Sequence, residues 1–252
     1  MDLAQYESLN PRCEVTWQGR TVVYATPNQL ARARAETLFT KEPVTIEWMS
    51  RLGPDDVLAD VGANVGMYTI WAAGIAGARV WAFEPESQNY GLLNRNIQMN
   101  RLGERIKAYC LALSDAPGYA ELHLSAFIAG GSCHSYEQPV DFKLEPMRPA
   151  FSQGCVAARL DDLVAGGAMP QPTHLKIDVD GFEHKVVAGG AKTVRDRRLR
   201  SMIVEVNPAL EPHRRLLEEL RDAGFRWDEA QVAAAERKAG AFKGVAEYVF
   251  SR

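Results

Sequence analysis

Four residues whose chemistry belongs together stand close in the chain: Asp60, Gly62, Asn64 and Gly66, with Glu84 about 20 residues beyond the glycines. Glycines after an apolar run let a strand turn sharply into a helix and leave the backbone open to a ligand. The helix start adds unpaired N–H groups. An acid at the end of the next strand, here Glu84, accepts two hydrogen bonds from a ribose diol. The ligand class is therefore an adenosine derivative. The loop Gly62-Ala63-Asn64-Val65-Gly66 is G-x-x-x-G, without the G-x-G-x-x-G that cradles a pyrophosphate. Asp60 at its mouth repels a diphosphate and suits an ammonium or sulfonium group. This favours S-adenosylmethionine, with S-adenosylhomocysteine as product, over NAD.

A sulfonium methyl is already activated, so the chain has to align an acceptor and take its proton. Alignment supplies about 7–11 kcal/mol in favourable cases, and a positioned base about 10²–10⁴-fold. His134, in a Gly- and Ser-flanked stretch, is the first candidate base because it titrates near neutrality. Asp178, at the end of a strand facing the crevice, is the second, with Asp180 beside it; His184 is a weaker one. The competing roles are structural: a surface histidine, or a carboxylate capping a helix. Asp178 and Asp180 with Glu205 or Asn207 also form an oxygen-rich set that suits Mg²⁺, an alternative that is not favoured; no residue is assigned to a metal.

The elements that position these residues follow from hydrophobic patterning. Strands are expected at Val57–Val61, Val80–Phe83, Ile106–Leu113, His174–Val179, Ser201–Val206, Phe225–Trp227 and Tyr248–Phe250. Helices are expected over Met67–Gly77, around Tyr90, Leu93 and Ile97, and over Glu211–Ala223. Alternation of this kind predicts an α/β fold with a Rossmann-like, doubly wound seven-stranded sheet whose last two strands form an antiparallel hairpin. Residues 53–252 form that core in a single domain. Residues 1–52 form an extension containing a hairpin (Cys13 to Thr26, turning at Gly19) and a helix ending near Leu52. Residues 116–172, between the third and fourth strands, are too long for a crossover and are read as a substrate-recognition insertion. Its aromatic residues Phe127, Tyr136, Phe142 and Phe151 could stack on a sugar or form a satellite core.

The 252 residues are 46% hydrophobic with a net charge of −3, a balance that argues against nucleic acid as partner. The arginines at 195, 197, 198 and 200 read as a solvated helix end. No apolar run approaches the ~18 residues of a spanning helix, and the first residues are not a leader, so no integral membrane segment and a cytoplasmic location are expected. Cys13, Cys110, Cys133 and Cys155 lack a C-x-x-C pair and are expected to be reduced. The oligomeric state is not legible.

Several further stretches carry a resemblance: Thr40-Lys41-Glu42-Pro43, Ala82 to Tyr90, Ala112-Leu113-Ser114-Asp115, Leu160-Asp161-Asp162-Leu163 and Lys176-Ile177-Asp178-Val179-Asp180-Gly181. With the glycine loop they resemble the FkbM family of S-adenosylmethionine-dependent methyltransferases, from about Phe39 onward. The resemblance implies a class I methyltransferase sheet and O-methylation of a hydroxyl on a saccharide, such as a surface glycan, or on a polyketide or other natural product. It places Asp60, Gly62, Asn64 and Gly66 at the methionine end of the cofactor, Glu84 at the ribose, and Ser114 with Asp115 at the adenine. Asp180 departs from the family's usual Glu, shortening the acid's reach. A dinucleotide oxidoreductase and a non-catalytic nucleoside-binding module are the competing classes.

Overall fold

Val57–Val61 is buried at every position, as a strand covered on both faces must be. The computed structural model, which describes residues 1–252 apart from the Glu7 side chain, builds the rest of the fold around it. In chain order, helix α1 (Leu3–Ser8) precedes the hairpin β1 (Arg12–Trp17) and β2 (Arg20–Ala25), then α2 (Gln29–Glu36) and α3 (Pro43–Met49). The core begins with β3 (Val57–Val61), α4 (Met67–Trp71), β4 (Arg79–Phe83), α5 (Ser87–Met99) and β5 (Ile106–Tyr109). The following segment carries β6 (Ala112–Leu113), β7 (Gly118–Leu124), β8 (Ser135–Tyr136), β9 (Phe151–Ala158) and α6 (Leu160–Ala165). The core resumes with β10 (His174–Ile177), α7 (Glu183–Gly189), α8 (Ala191–Arg195), β11 (Ser201–Val206), α9 (Glu211–Asp222), α10 (Glu229–Ala235) and β12 (Ala246–Ser251).

The main sheet has six strands in the order β12-β11-β10-β3-β4-β5, all parallel except β12. The order reverses at β3 and β10, so their carboxyl ends form the crevice in which ligands of such sheets bind. The seventh strand, expected at Phe225–Trp227, is reduced to one bridge between Arg226 and Ser251. Its ends explain why: Gly224 turns with φ +93°, and the Asp228 side chain caps α10 immediately afterwards. β12 pairs antiparallel along all of β11 instead of forming a hairpin with that segment.

Other boundaries moved. The third expected strand splits after Tyr109, and Ala112–Leu113 leaves to pair with β9 in a separate sheet of order β6-β9-β7-β8. The N-terminal segment contains two helices: α2 ends at its Thr37 cap, and Pro43 in the first turn starts α3. The helix expected over Met67–Gly77 continues past α4 as a π-helical turn, Ala72–Ala76, and stops at Gly77 with φ +87°. Tyr24 and Leu38 pack into the same cluster as Leu58, Ile70 and Leu93, fixing the extension against α4 and α5. The four cysteines are free, and among the described residues no helix is long and apolar enough to cross a membrane.

Candidate active site

A cavity of about 370 Å³ opens at the carboxyl ends of β3, β4, β10 and β11, roofed by Ser132, His134 and Tyr136. Glu84, just past β4, is one of its buried acids. One carboxylate oxygen accepts the Asn64 N–H at 2.7 Å and the other the Glu86 N–H at 2.9 Å. Burial pushes its carboxyl up to about 7, against the pull of those two N–H groups. Glu86 itself caps α5, accepting from the backbone of Gln88 and Asn89.

The glycine loop makes the expected turn, with Gly62 at φ +78° and Gly66 at φ +83°. Gly62 and Asn64 line the cavity, and the same residues also have structural roles. A Cβ on Gly62 would lie 1.8 Å from the Asp178 carbonyl, so this glycine allows two strand-end loops to touch. Gly66, at φ +83°, starts α4 and lies against Leu93, away from the cavity wall. Asn64 lines the cavity, but its Nδ2 donates to the Gly131 carbonyl at 2.6 Å, pinning the roof. Asn89 supports the same carbonyl at 3.1 Å, and Asn28 holds that of Ala129.

Asp60 is fully buried below this floor. One oxygen accepts from Thr69 at 2.5 Å; the other has no hydrogen bond and faces Lys176 Nζ at 3.6 Å. Its expected place at the cofactor is therefore corrected to one behind the wall. Ser114 lines the cavity while Asp115 is exposed, outside it, and accepts from Ser114 Oγ at 3.0 Å.

The β10–β11 side is a network of charges. Lys176 Nζ lies 3.4 Å from Asp178, and burial of this lysine is outweighed by Asp178, Asp60 and Glu42, which hold it protonated. Burial alone favours the neutral acid at Asp178, but Lys176, Lys41 and Arg237 keep its pKa below the ordinary value. Asp180, with φ +54°, accepts the Cys133 N–H at 2.7 Å. Burial and the charge of Asp178 push it up to about 6. Arg237 bonds Glu205 at 2.7 Å and Glu247 at 2.6 Å, with Glu42 at 3.5 Å. Glu205 is nevertheless raised well above the usual range by burial and by Asp178.

His134 does line the cavity, and burial lowers its pKa so that the ring is neutral. Its Nδ1 accepts the Ser125 N–H at 3.3 Å, which puts the proton on Nε2, a buried atom without a partner. In that tautomer Nε2 is a donor, and the lone pair that a base needs is engaged by the Ser125 N–H. His184 packs by Phe182 and His213, outside the cavity. The oxygen set considered for Mg²⁺ is tied to protein cations, Asp178 to Lys176 and Glu205 to Arg237. Among the described residues no three His, Cys, Asp or Glu side chains converge as a metal site. Of the insertion's aromatic residues Tyr136 faces the cavity, Phe142 stacks on Phe242 at 4.0 Å, and Phe127 pairs with Phe151 at the surface.

Lys176 carried a signal in the sequence, a charge inside the apolar run Leu175-Lys176-Ile177. Lys41, Arg237 and Glu247 carried none as functional residues, because only the fold brings them together.

The family model described as "Methyltransferase FkbM domain" matches residues 60–227. The chain belongs to this family. Among its relatives, the hexuronic acid methyltransferase AglP of Haloferax volcanii is 27% identical over 158 residues, covering 63% of this chain and 59% of that protein. The 31-O-demethyl-FK506 methyltransferase FkbM of Streptomyces tacrolimicus is 28% identical over 180 residues, covering 62% and 67%. The aligned part thus spans about three-fifths of the length of AglP. The crystal structure of a methyltransferase FkbM from Methylobacillus flagellatus KT superposes with a TM-score of 0.50 at 14% identity, covering 91% of this chain and 56% of that one. This FkbM-family chain shares its α/β fold.

Proposed function

We propose that the chain is an S-adenosylmethionine-dependent O-methyltransferase acting on a saccharide hydroxyl. The observation that carries this reading is Glu84: its two oxygens are aimed by the N–H groups of Asn64 and Glu86, at the end of β4, on the wall of a cavity sized for a ligand. A carboxylate oxygen accepts more than one hydrogen bond, so each keeps capacity for a ribose hydroxyl. Phe83, Leu111 and Leu113 give apolar cover for an adenine, with Ser114 as polar neighbour. Gly62 and Asn64 border the methionine end. When bound, S-adenosylmethionine supplies a methyl group on a sulfonium and leaves as S-adenosylhomocysteine.

The acceptor hydroxyl then meets the β10–β11 side. Asp180 is the base: raised to about 6, it is mostly ionised above neutrality yet basic enough to take a proton. Asp178, kept ionised by Lys176, Lys41 and Arg237, favours the positive charge brought by the sulfonium. His134 keeps its Nε2–H, without a protein partner, for a ligand oxygen. The name of the Haloferax relative, a hexuronic acid methyltransferase, supports a sugar; that of the Streptomyces relative supports a natural product as the second reading.

Tritiated S-adenosylmethionine offered with a panel of methyl glycosides, uronic acids and polyketide alcohols tests the proposal. Label is expected in a sugar product, with Asp180→Asn slowed by about 10²-fold or more while S-adenosylhomocysteine binding stays within about twofold. Label only in a polyketide alcohol would overturn the saccharide reading. Turnover unchanged in Asp180→Asn would overturn its role.

A further inference from the structure

Arg34 differs from the other cations of the cavity wall. Lys41 pairs with Glu42 and Lys185 with Glu137, and Arg237 with Glu42, Glu205 and Glu247. Arg34 donates its Nε–H to the Gly130 carbonyl at 2.6 Å, and among the described residues no carboxylate pairs with it. Its guanidinium keeps two terminal nitrogens without protein acceptors. Across the roof, His134 presents a second unsatisfied donor, the buried Nε2–H.

The two groups share one field. Beside the larger effect of burial, Arg34 opposes protonation of His134, and its charge also bears on Lys41. Glu86 acts on His134 in the opposite sense, but its oxygens are occupied by the start of α5. The rest of α2 that lines the cavity is neutral: Leu30, Ala33 and Thr37.

We infer that Arg34, the Nε2–H of His134 and Lys41 form a carboxylate-binding subsite on the α2 side of the cavity. A guanidinium fork with an added N–H donor matches the two oxygens of a carboxylate. The subsite rests on the cofactor-and-acceptor reading of the same cavity. Arg34 and Lys41 precede the residues of the family match, so the subsite extends beyond the matched domain. The carboxylate belongs either to the amino-acid end of the cofactor or to an acidic acceptor sugar.

Isothermal titration of the wild-type chain and Arg34→Gln separates these sources. The probes are S-adenosylhomocysteine, methylthioadenosine, which lacks the amino-acid end, and D-glucuronate against D-glucose, each sugar with and without saturating methylthioadenosine. If the cofactor's carboxylate docks here, Arg34→Gln weakens S-adenosylhomocysteine by more than about tenfold and methylthioadenosine by less than about twofold. If an acidic acceptor docks here, glucuronate binds the wild type where glucose does not, and Arg34→Gln abolishes it. Either pattern supports the subsite.

Equal weakening of both nucleosides with no loss of glucuronate, or no response from any probe, overturns it. Thermal unfolding accompanies each titration. Should Arg34→Gln not fold, His134→Leu removes the other donor and is held to the same outcomes. Binding of neither nucleoside by the wild type overturns the methyltransferase reading instead, and the sugar arm without nucleoside still decides the subsite.

Discussion

The two halves of the cavity are held by different physics. On the β3–β4 side the polar groups are satisfied locally, mostly by backbone: Glu84 by Asn64 and Glu86, Glu86 by Gln88 and Asn89. On the β10–β11 side the acids depend on cations, Lys176 beside Asp178 and, from distant parts of the chain, Lys41 near one end and Arg237 near the other. The first half is a rigid seat suited to a ligand of fixed shape. The second holds charges whose balance a neighbouring substitution or a change of pH can shift.

Breaking the β3–β4 half should have an effect as large as any. Gly62→Ala drives a Cβ into the Asp178 carbonyl, a backbone atom, at a residue with φ +78°. A loss of about 3 kcal/mol or more in urea unfolding is expected. Gly66→Ala, also at positive φ, clashes with a Leu93 side-chain methyl and meets backbone only at ordinary contact distance, so it should cost less; equal losses would show that the Asp178 contact is not decisive.

In the charged half, Arg237→Met leaves Glu42, Glu205 and Glu247 without their shared cation. Destabilisation of about 3–5 kcal/mol is expected near pH 8, and less near pH 5, where Glu205 and Glu247, both raised by burial, can neutralise. A loss independent of pH would show that the guanidinium acts by packing alone.

A smaller effect appears in the wild type. Glu84 and Glu247 are raised to about 7 and Asp180 to about 6, with burial the largest cause in each case. The folded state binds these protons more tightly than the unfolded chain does. The stability they contribute is complete below the ordinary carboxylate range and is lost as pH rises through about 6 to 7. The urea midpoint should fall between about pH 5 and pH 8, and Asp180→Asn should flatten that fall; a midpoint that rises would reverse the sign of the argument. The smallest effect belongs to Asp115→Ala. This acid is exposed outside the cavity, and S-adenosylhomocysteine affinity should change by less than about twofold.

The same contrast explains what could be read from the sequence. The strand, glycine turn, helix and terminal acid from Val57 to Glu84 were legible, because hydrophobic runs and glycines report local backbone needs. Glu84 was placed correctly at a strand end. Asp60 was read as facing a ligand, but it lies in a strand buried on both faces, where Thr69 and Lys176 hold it. Gly62 does line the cavity, but its close approach to the Asp178 carbonyl is a second demand that the sequence does not reveal. His134, a candidate base by its type and flanking residues, does line the cavity, but the hydrogen bond it accepts from the Ser125 N–H is one that no spacing rule reveals. The missing strand near Arg226 was lost to two local signals, Gly224 and the Asp228 cap, that outweighed a short apolar run.

The central claim is that Glu84 seats the ribose of an S-adenosyl ligand. Isothermal titration of S-adenosylhomocysteine and NAD⁺ into the wild type and Glu84→Gln tests it most directly. The account predicts binding of S-adenosylhomocysteine and not of NAD⁺, weakening as pH falls below about 7 as Glu84 takes up its proton. Glu84→Gln should lose about tenfold or more in affinity together with that pH dependence. Preferential binding of NAD⁺, or S-adenosylhomocysteine affinity untouched in Glu84→Gln, would contradict it.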